Sequence, residues 1–255
     1  MLLSAKRGVV FGASSKYSLG LHVAQAWCEA GASKIVIACE TEALCEKVHG
    51  VASKSNWWSN DTCSVAKCDI NIDRDIKAIL QNAEFDMILH SVAMAPTSAL
   101  RSGNLLQFGR EEFLKTMETS SYSLLAIASQ ARFGANGGSL TALTFDATRR
   151  IVPGYGAMAP AKAALETLSL YLSRELGGRN VRVNCISPGP INTPAARVIP
   201  NFHALCESAK TRSALKRGVT PSEVASMAVF LASDMASGIT GQILHIDCGE
   251  ATGIV

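Results

Sequence analysis

The sequence predicts an α/β fold: a single doubly wound parallel sheet of about seven strands with helices on both faces. Three observations carry this. Seven short β-rich runs alternate with longer helical patterns along the chain. The runs are apolar at successive positions, as strands covered on both faces are, instead of alternating apolar and polar. No Pro/Gly/Ser linker and no fixed-period repeat divides the 255 residues, so one domain is expected over 1–255. Strand–helix alternation of this kind builds right-handed βαβ units, and these make a parallel sheet.

The elements follow in order. GVVFG (8–12) opens the sheet and leads into a helical pattern over 18–30. KIVIAC (34–39) is the second strand, followed by a helix over 41–54. The stretch 49–62 breaks the alternation. Its Trp57 and Trp58 read as loop anchors, apolar bodies with a polar tip at the surface. CSVAKC (63–68) precedes a helix over 72–82, and FDMILHSV (85–92) precedes a long helical pattern over 111–133. GSLTALTF (138–145) comes before a helix over 155–177, which Gly177-Gly178 stops. VRVNCIS (181–187), a helix over 221–233 and QILHID (242–247) complete the series.

Composition excludes several classes. About half the residues are apolar and the net charge is +3, too small a surplus to argue for nucleic acid. The eight cysteines are scattered, none in C-x-x-C and none with histidines at zinc spacing, so no metal site is expected. Several sit in apolar runs as small hydrophobes, which suits reduced thiols in an intracellular compartment. No apolar run reaches the ~18 residues of a membrane span, so no membrane insertion is expected. The first residues run straight into a strand, leaving no room for a signal peptide. The expectation is a soluble cytoplasmic protein, or one of an organelle matrix if a presequence is removed.

In doubly wound sheets ligands bind at the carboxyl ends of the strands. After the first strand comes GASSKYSLG, from Gly12 to Gly20. Gly12 permits a tight turn, and Ser18 stands where the next helix begins and free N–H groups suit a pyrophosphate. The second strand ends at Glu40, whose carboxylate can accept hydrogen bonds from a ribose 2′-hydroxyl and repel a 2′-phosphate. No Lys or Arg follows until Lys47, which favours NADH over NADPH. Asp69 ends the third strand, placed to face an adenine amino group. The fourth ends HSVAMAP, where Ser91, Val92 and Ala93 are small enough for a nicotinamide ring to approach the backbone. His90, among apolar neighbours, reads as a packed strand histidine.

GYGAMAPAK (154–162) holds Tyr155 and Lys162 with six residues between them. On a continuous helix, positions seven apart differ by about 700°, nearly two whole turns, so both side chains would share a face. An ammonium there favours negative charge near a phenol that is itself a natural donor to an oxyanion. A buried aromatic beside an unrelated lysine is the alternative, because this spacing is common. Pro160 is tolerated only near the helix start.

The motifs together resemble the short-chain dehydrogenase/reductase superfamily. More closely, the chain is similar to its divergent branch containing the NADH-dependent enoyl-acyl carrier protein reductases. Ordinary members carry TG-x3-G-x-G and Y-x3-K; four residues after Tyr155 this chain has Ala159. It has instead G-x5-S-x-G, HSVAMAP, SSYSLLAIA (120–128), Y-x6-K, GPINT (189–193) and SGITGQILHID (237–247), in family order. The resemblance implies a Rossmann-type NAD-binding fold. It implies that Tyr155 polarises a trans-2-enoyl thioester carbonyl and that Lys162 holds the nicotinamide ribose. Ser18, Leu19, Glu40, Asp69, Ile70, Val92, Ile191 and Thr193 match cofactor-contact positions, and Ala95 a position near the acyl thioester. Phe145 stands where many members have a second tyrosine, on the substrate side, and Ala93 replaces a usual glycine beside the nicotinamide.

The segment after GPINT, about 194–218, reads as a substrate lid with Ile199, Phe202 and Leu205 facing a lipophilic pocket. Its five basic residues, Arg197, Lys210, Arg212, Lys216 and Arg217, against the single acid Glu207, suit docking of an acidic acyl carrier protein. The resemblance also implies a homotetramer, with the helices over 111–133 and 155–177 at the interface. Two other readings stay open on the residues: a reductase of the same fold acting on another carbonyl or enone, and a catalytically silent NAD-binding protein.

Overall fold

Apolar strand residues alternate in direction, and this builds two cores. In the computed structural model, which describes residues 1–81, 83–96, 100 and 104–252, Val9 and Val10 of the first strand enter opposite clusters. One cluster adds Ile35, Ile37, Met87, Leu89 and Ile186, and the other adds Phe11, Ile88, Leu140 and Val183. The strands are β1 (Arg7–Phe11), β2 (Lys34–Cys39), β3 (Cys63–Lys67), β4 (Met87–His90), β5 (Gly138–Leu143), β6 (Val181–Pro188) and β7 (Ile243–Ile246). They form one parallel sheet in the order 3-2-1-4-5-6-7. The chain direction of strand addition reverses between β1 and β4, and a crevice opens at their carboxyl ends.

Helices cover both faces. α1 (Leu19–Glu29) and, much later in the chain, Pro221–Ala232 pack on the first cluster. Trp27 is fully buried between them and donates Nε1–H to Ala228 O at 3.3 Å. α2 (Glu42–Ala52) joins that face through Cys45, Val48 and Ala52. α3 (Asp73–Leu80) lies on the other face through Ile76 and Leu80; Asn82, the last residue of the helix expected there, lies outside the described residues. Trp57 and Trp58 do anchor their loop, edge to face at 5.7 Å, with Trp58 Nε1 donating to Asn60. All eight cysteines are free thiols.

Two expectations are corrected. The helix over 111–133 is α4 (Arg110–Met117), a π turn (Glu118–Tyr122) and α5 (Ser123–Gln130). Buried hydroxyls cause the break. Ser120 Oγ donates to Met94 O and accepts from Met94 N, both at 3.0 Å, while Ser121 Oγ donates to Ala161 O at 2.6 Å. Hydroxyls that seek partners outside the helix disturb the i→i−4 ladder. The helix over 155–177 begins later, as α6 (Met158–Gly177). Tyr155 precedes it in a turn between Gly154 (φ 79°) and Gly156 (φ 52°), so the face-sharing argument for Tyr155 and Lys162 does not hold as made. Pro160 is the third residue of α6, where an N–H has no intrahelical partner, so the proline costs no hydrogen bond. The segment expected as a lid holds a 3₁₀ turn (Ala196–Val198) that leads to α7 (Phe202–Arg212), whose N-cap Asn201 takes left-handed φ 54°. α8 is then Pro221–Ala232, with a Thr220–Glu223 capping box.

Candidate active site

The turn after β1 is set by Gly12. Its φ is +99°, and a Cβ there would stand 2.3 Å from Ser91 O, so no larger residue fits without moving β4's end. Ser18 turns its hydroxyl back into this loop, donating to Ser15 O at 2.7 Å and accepting from Ser14 N at 3.3 Å. That leaves α1 without a side-chain cap, and its first turn holds no acid. Leading N–H groups and an unneutralised helix dipole therefore start at Ser18 and Leu19.

A cavity of about 360 Å³ spreads from this turn across the ends of β4, β5 and β6. It gathers Gly12, Ser18, Leu19, Ser91, Val92, Ala93, Ala95, Phe145, Tyr155, Lys162, Ile191, Thr193, Ile199 and Phe202 from six separate stretches of sequence. Glu40, Asp69 and Ile70 lie outside it, at the same edge of the sheet past β2 and β3. Glu40 is exposed, Asp69 half-buried with Oδ1 accepting from Asn71, and Ile70 packed in the core. Leu205 packs on the lid cluster without lining the cavity.

Lys162 is buried. It donates to Leu143 O at 2.8 Å and Val92 O at 3.5 Å, at the ends of β5 and β4. Burial lowers its pKa to about 8, against the opposing pull of Cys185 and Glu166. Three ammonium protons serve two carbonyls, so one donor is left for a ligand. Burial pushes the Tyr155 phenol above its usual range, and the Glu166 carboxylate adds to this. The phenol therefore stays protonated through the neutral range. Phe145 meets Tyr155 ring to ring at 5.1 Å, and both belong to a third cluster with Leu100, Met158, Ile199 and Phe202. One wall of the cavity is thus apolar and built partly by the segment over 194–218. His90 takes no part: it is fully buried, hydrogen-bonded to Ser123 Oγ at 2.7 Å, and burial drops its pKa to about 3.

Sequence reasoning missed several groups here. Met94, Leu100, Thr144, Met158 and Val198 also line the cavity. Glu166 Oε1 accepts from Thr144 Oγ1 at 2.6 Å and Thr148 Oγ1 at 3.2 Å, holding the segment that carries Phe145. Its place four residues after Lys162, on the same helix face, was a signal that could have found it. Ser120 had no such signal, because its partner Met94 is distant in sequence.

The residues fit a dinucleotide: small groups and a helix start for a pyrophosphate, an acid past β2 for ribose hydroxyls, and a buried cation at the far end. A Rossmann-type sheet with such a crevice defines the class of nucleotide-dependent α/β oxidoreductases. Within that class, residues 12–250 match the family described as Enoyl-(Acyl carrier protein) reductase, and the chain belongs to that family. It is 36% identical over 253 residues to enoyl-acyl-carrier-protein reductase (NADH) 1 of Rhizobium meliloti, covering 98% of this chain and 92% of that one. The NADH enzyme of Bacillus subtilis is also 36% identical, with 97% and 96% covered. The crystal structure of the Aquifex aeolicus NADH reductase superposes with a TM-score of 0.92 at 32% identity, all of both chains covered. The Anaplasma phagocytophilum reductase in complex with NAD gives 0.92 at 31% identity, covering 100% of this chain and 97% of that one.

Proposed function

We propose that this protein reduces trans-2-enoyl thioesters carried on acyl carrier protein to saturated acyl thioesters, with NADH, in fatty-acid synthesis. The observation that carries the reading is the convergence of buried Tyr155 and Lys162 on one cavity with an apolar wall. NADH, when bound, supplies hydride to the β-carbon of the thioester. Negative charge then develops on the carbonyl oxygen. Tyr155 donates its phenol proton's hydrogen bond to that oxygen, and burial keeps the phenol protonated for the task. Phe145 restricts the Tyr155 ring and shields it from water. Lys162, fixed by two strand-end carbonyls, holds a ribose hydroxyl and keeps positive charge near the developing oxyanion. Protonation at the α-carbon completes the reduction. The small turn at Gly12–Leu19 takes the pyrophosphate, with Ser91, Val92, Ala93, Ile191 and Thr193 around the nicotinamide end.

Glu40 is exposed just past β2, and a carboxylate at that place in a dinucleotide-binding fold supports NADH over NADPH. The chain acts as one domain whose segment over 194–218 is the substrate lid: Ile199 and Phe202 face the acyl chain, with Ala95 near the thioester. The lid's surplus of positive charge is smaller than its sequence suggests. Lys210 pairs with Glu207, Arg212 with Glu250 and Arg217 with Glu223, leaving Arg197 and Lys216 without an acidic partner among the described residues. Docking of an acidic carrier protein therefore rests on few charges. Exposed Leu114, Tyr122, Leu125, Leu170 and Tyr171 on α4, the π turn, α5 and α6 support self-association into a homotetramer. Among the described residues no helix is long and apolar enough to cross a membrane. Eight free thiols suit a reducing compartment such as the cytoplasm.

The test is Tyr155→Phe. It keeps the ring and removes the donor, and we expect kcat with an enoyl thioester to fall by about 10² to 10³ while NADH binding is retained. Unchanged turnover would refute the assignment.

A further inference from the structure

The cavity's apolar wall is assembled from two separate pieces. Phe145 lies on the segment after β5, whereas Ile199 and Phe202 lead into α7. Among the described residues no backbone hydrogen bond joins these pieces directly. A chain of charges does. Asp146, the residue after Phe145, lies 2.6 Å from Arg150 Nε, and Arg150 Nη1 lies 2.8 Å from Glu250 Oε1. The same oxygen accepts a hydrogen bond from Nη2 of Arg212, the last residue of α7, at 2.6 Å. Glu250 comes from neither piece; it follows β7, near the end of the described chain.

Glu250 is presented by a preformed turn. Asp247 accepts from Gly249 N at 2.9 Å and from Ala251 N at 2.7 Å, and Cys248 and Gly249 take φ of 59° and 79°. The turn seats against the chain just past α7: Leu215 N donates to Cys248 O at 3.1 Å, and a Cβ on Gly249 would stand 2.8 Å from that of Ala214. The Glu250 side chain is almost wholly buried, while its two arginine partners are partly exposed. A buried carboxylate relies on both for compensation. α7 is a single rigid helix of 11 residues, with Arg212 at one end and Phe202 at the other. Loss of the Arg212–Glu250 pair would loosen that end of α7, leaving the Leu215–Cys248 bond to hold it, and would let the helix tilt so that Phe202 shifts against Phe145.

We propose that Glu250 is a positioning residue that latches the lid helix to the Phe145 segment and so sets the width of the acyl pocket. The substrate half of this inference rests on the enoyl-thioester reading. A long acyl chain must lie between Phe145 and Phe202, whereas a four-carbon chain ends near Tyr155. Glu250 thereby governs preference for long chains and leaves NADH binding and the chemical step alone.

The experiment compares wild type, Glu250→Ala, Glu250→Gln and Arg212→Ala with C4 and C12 trans-2-enoyl thioesters. In Glu250→Ala the C12 KM should rise about tenfold while the C4 KM, the NADH KM and both kcat values stay within about twofold. Glu250→Gln keeps an acceptor oxygen and should restore most of the loss. Arg212→Ala, at a partly exposed site, should reproduce the effect, and it decides the matter if Glu250→Ala fails to fold. Hydrogen exchange is measured in parallel and needs no substrate: in Glu250→Ala it should quicken in 202–212 and 145–150 together, and in Arg212→Ala in 202–212, with 145–150 still held by Arg150 and Glu250. Equal changes for C4 and C12, no change for either, or faster exchange confined to 247–252 would overturn the latch. If wild type fails to reduce enoyl thioesters, the functional reading falls, and the exchange pattern alone still decides whether the latch exists.

Discussion

The turn over Gly12–Gly20 and the lid over 194–218 face each other across one cavity and are held by different forces. The turn is fixed by backbone. A positive φ at Gly12, a 2.3 Å limit against Ser91 O and a serine hydroxyl shared among loop amides leave it little choice. The lid is fixed by side chains from elsewhere: Phe202 and Ile199 on Phe145, Tyr155 and Leu100, and Arg212 on Glu250. A backbone-determined site tolerates no change in residue size. A side-chain-determined site can be retuned one contact at a time.

The sharpest way to break this contrast is Gly12→Val. A β-branched residue at φ +99° must displace the end of β4, and NADH affinity should fall by at least about a hundredfold, read by fluorescence titration. If the variant binds NADH normally, the turn is not backbone-determined. Phe202→Ala should do less. It removes a partly shared wall, so the KM for a C12 thioester should rise about tenfold and stability should fall by about 3 kcal/mol, with NADH affinity intact. A loss of NADH binding in that variant would erase the distinction between the two sides.

The smallest effect is the most specific, because it belongs to the group where both sides meet. Lys162 titrates near 8 in the folded protein, below its ordinary 10.5. NADH affinity should therefore decline as pH rises through about 8, when the ammonium is lost. Stability runs the other way. Between 8 and 10.5 the unfolded chain holds this proton and the folded protein does not, so the group adds up to about 1.4 kcal/mol per pH unit as pH rises through that window. Thermal melts of wild type and Lys162→Met at pH 7 and 9.5 check the sign: the difference between them should shift in favour of wild type at the higher pH.

The same contrast explains what the sequence revealed. Strands and the residues at their carboxyl ends were legible, because apolar runs and small-residue turns are local signals; the order of the strands in the sheet is set by long-range pairing and was not. Tyr155 and Lys162 were legible as a pair, though for a reason that fails in detail. The glycine-flanked turn, not a shared helix face, brings Tyr155 to the cavity. The helix over 202–212 was not legible, since its polar, weakly patterned sequence gains order from contacts with Phe145 and Glu250. Nor was the π turn, whose hydroxyls find partners at Met94 and Ala161, far away in the chain.

The central claim is that this site delivers hydride to a carbon–carbon double bond conjugated to a thioester, with Tyr155 at the carbonyl oxygen. The most direct measurement follows NADH absorbance with a trans-2-enoyl thioester and, separately, with a 3-oxoacyl thioester of the same length. NADH should be consumed with the enoyl thioester and not with the 3-oxoacyl one; the reverse preference would contradict the account.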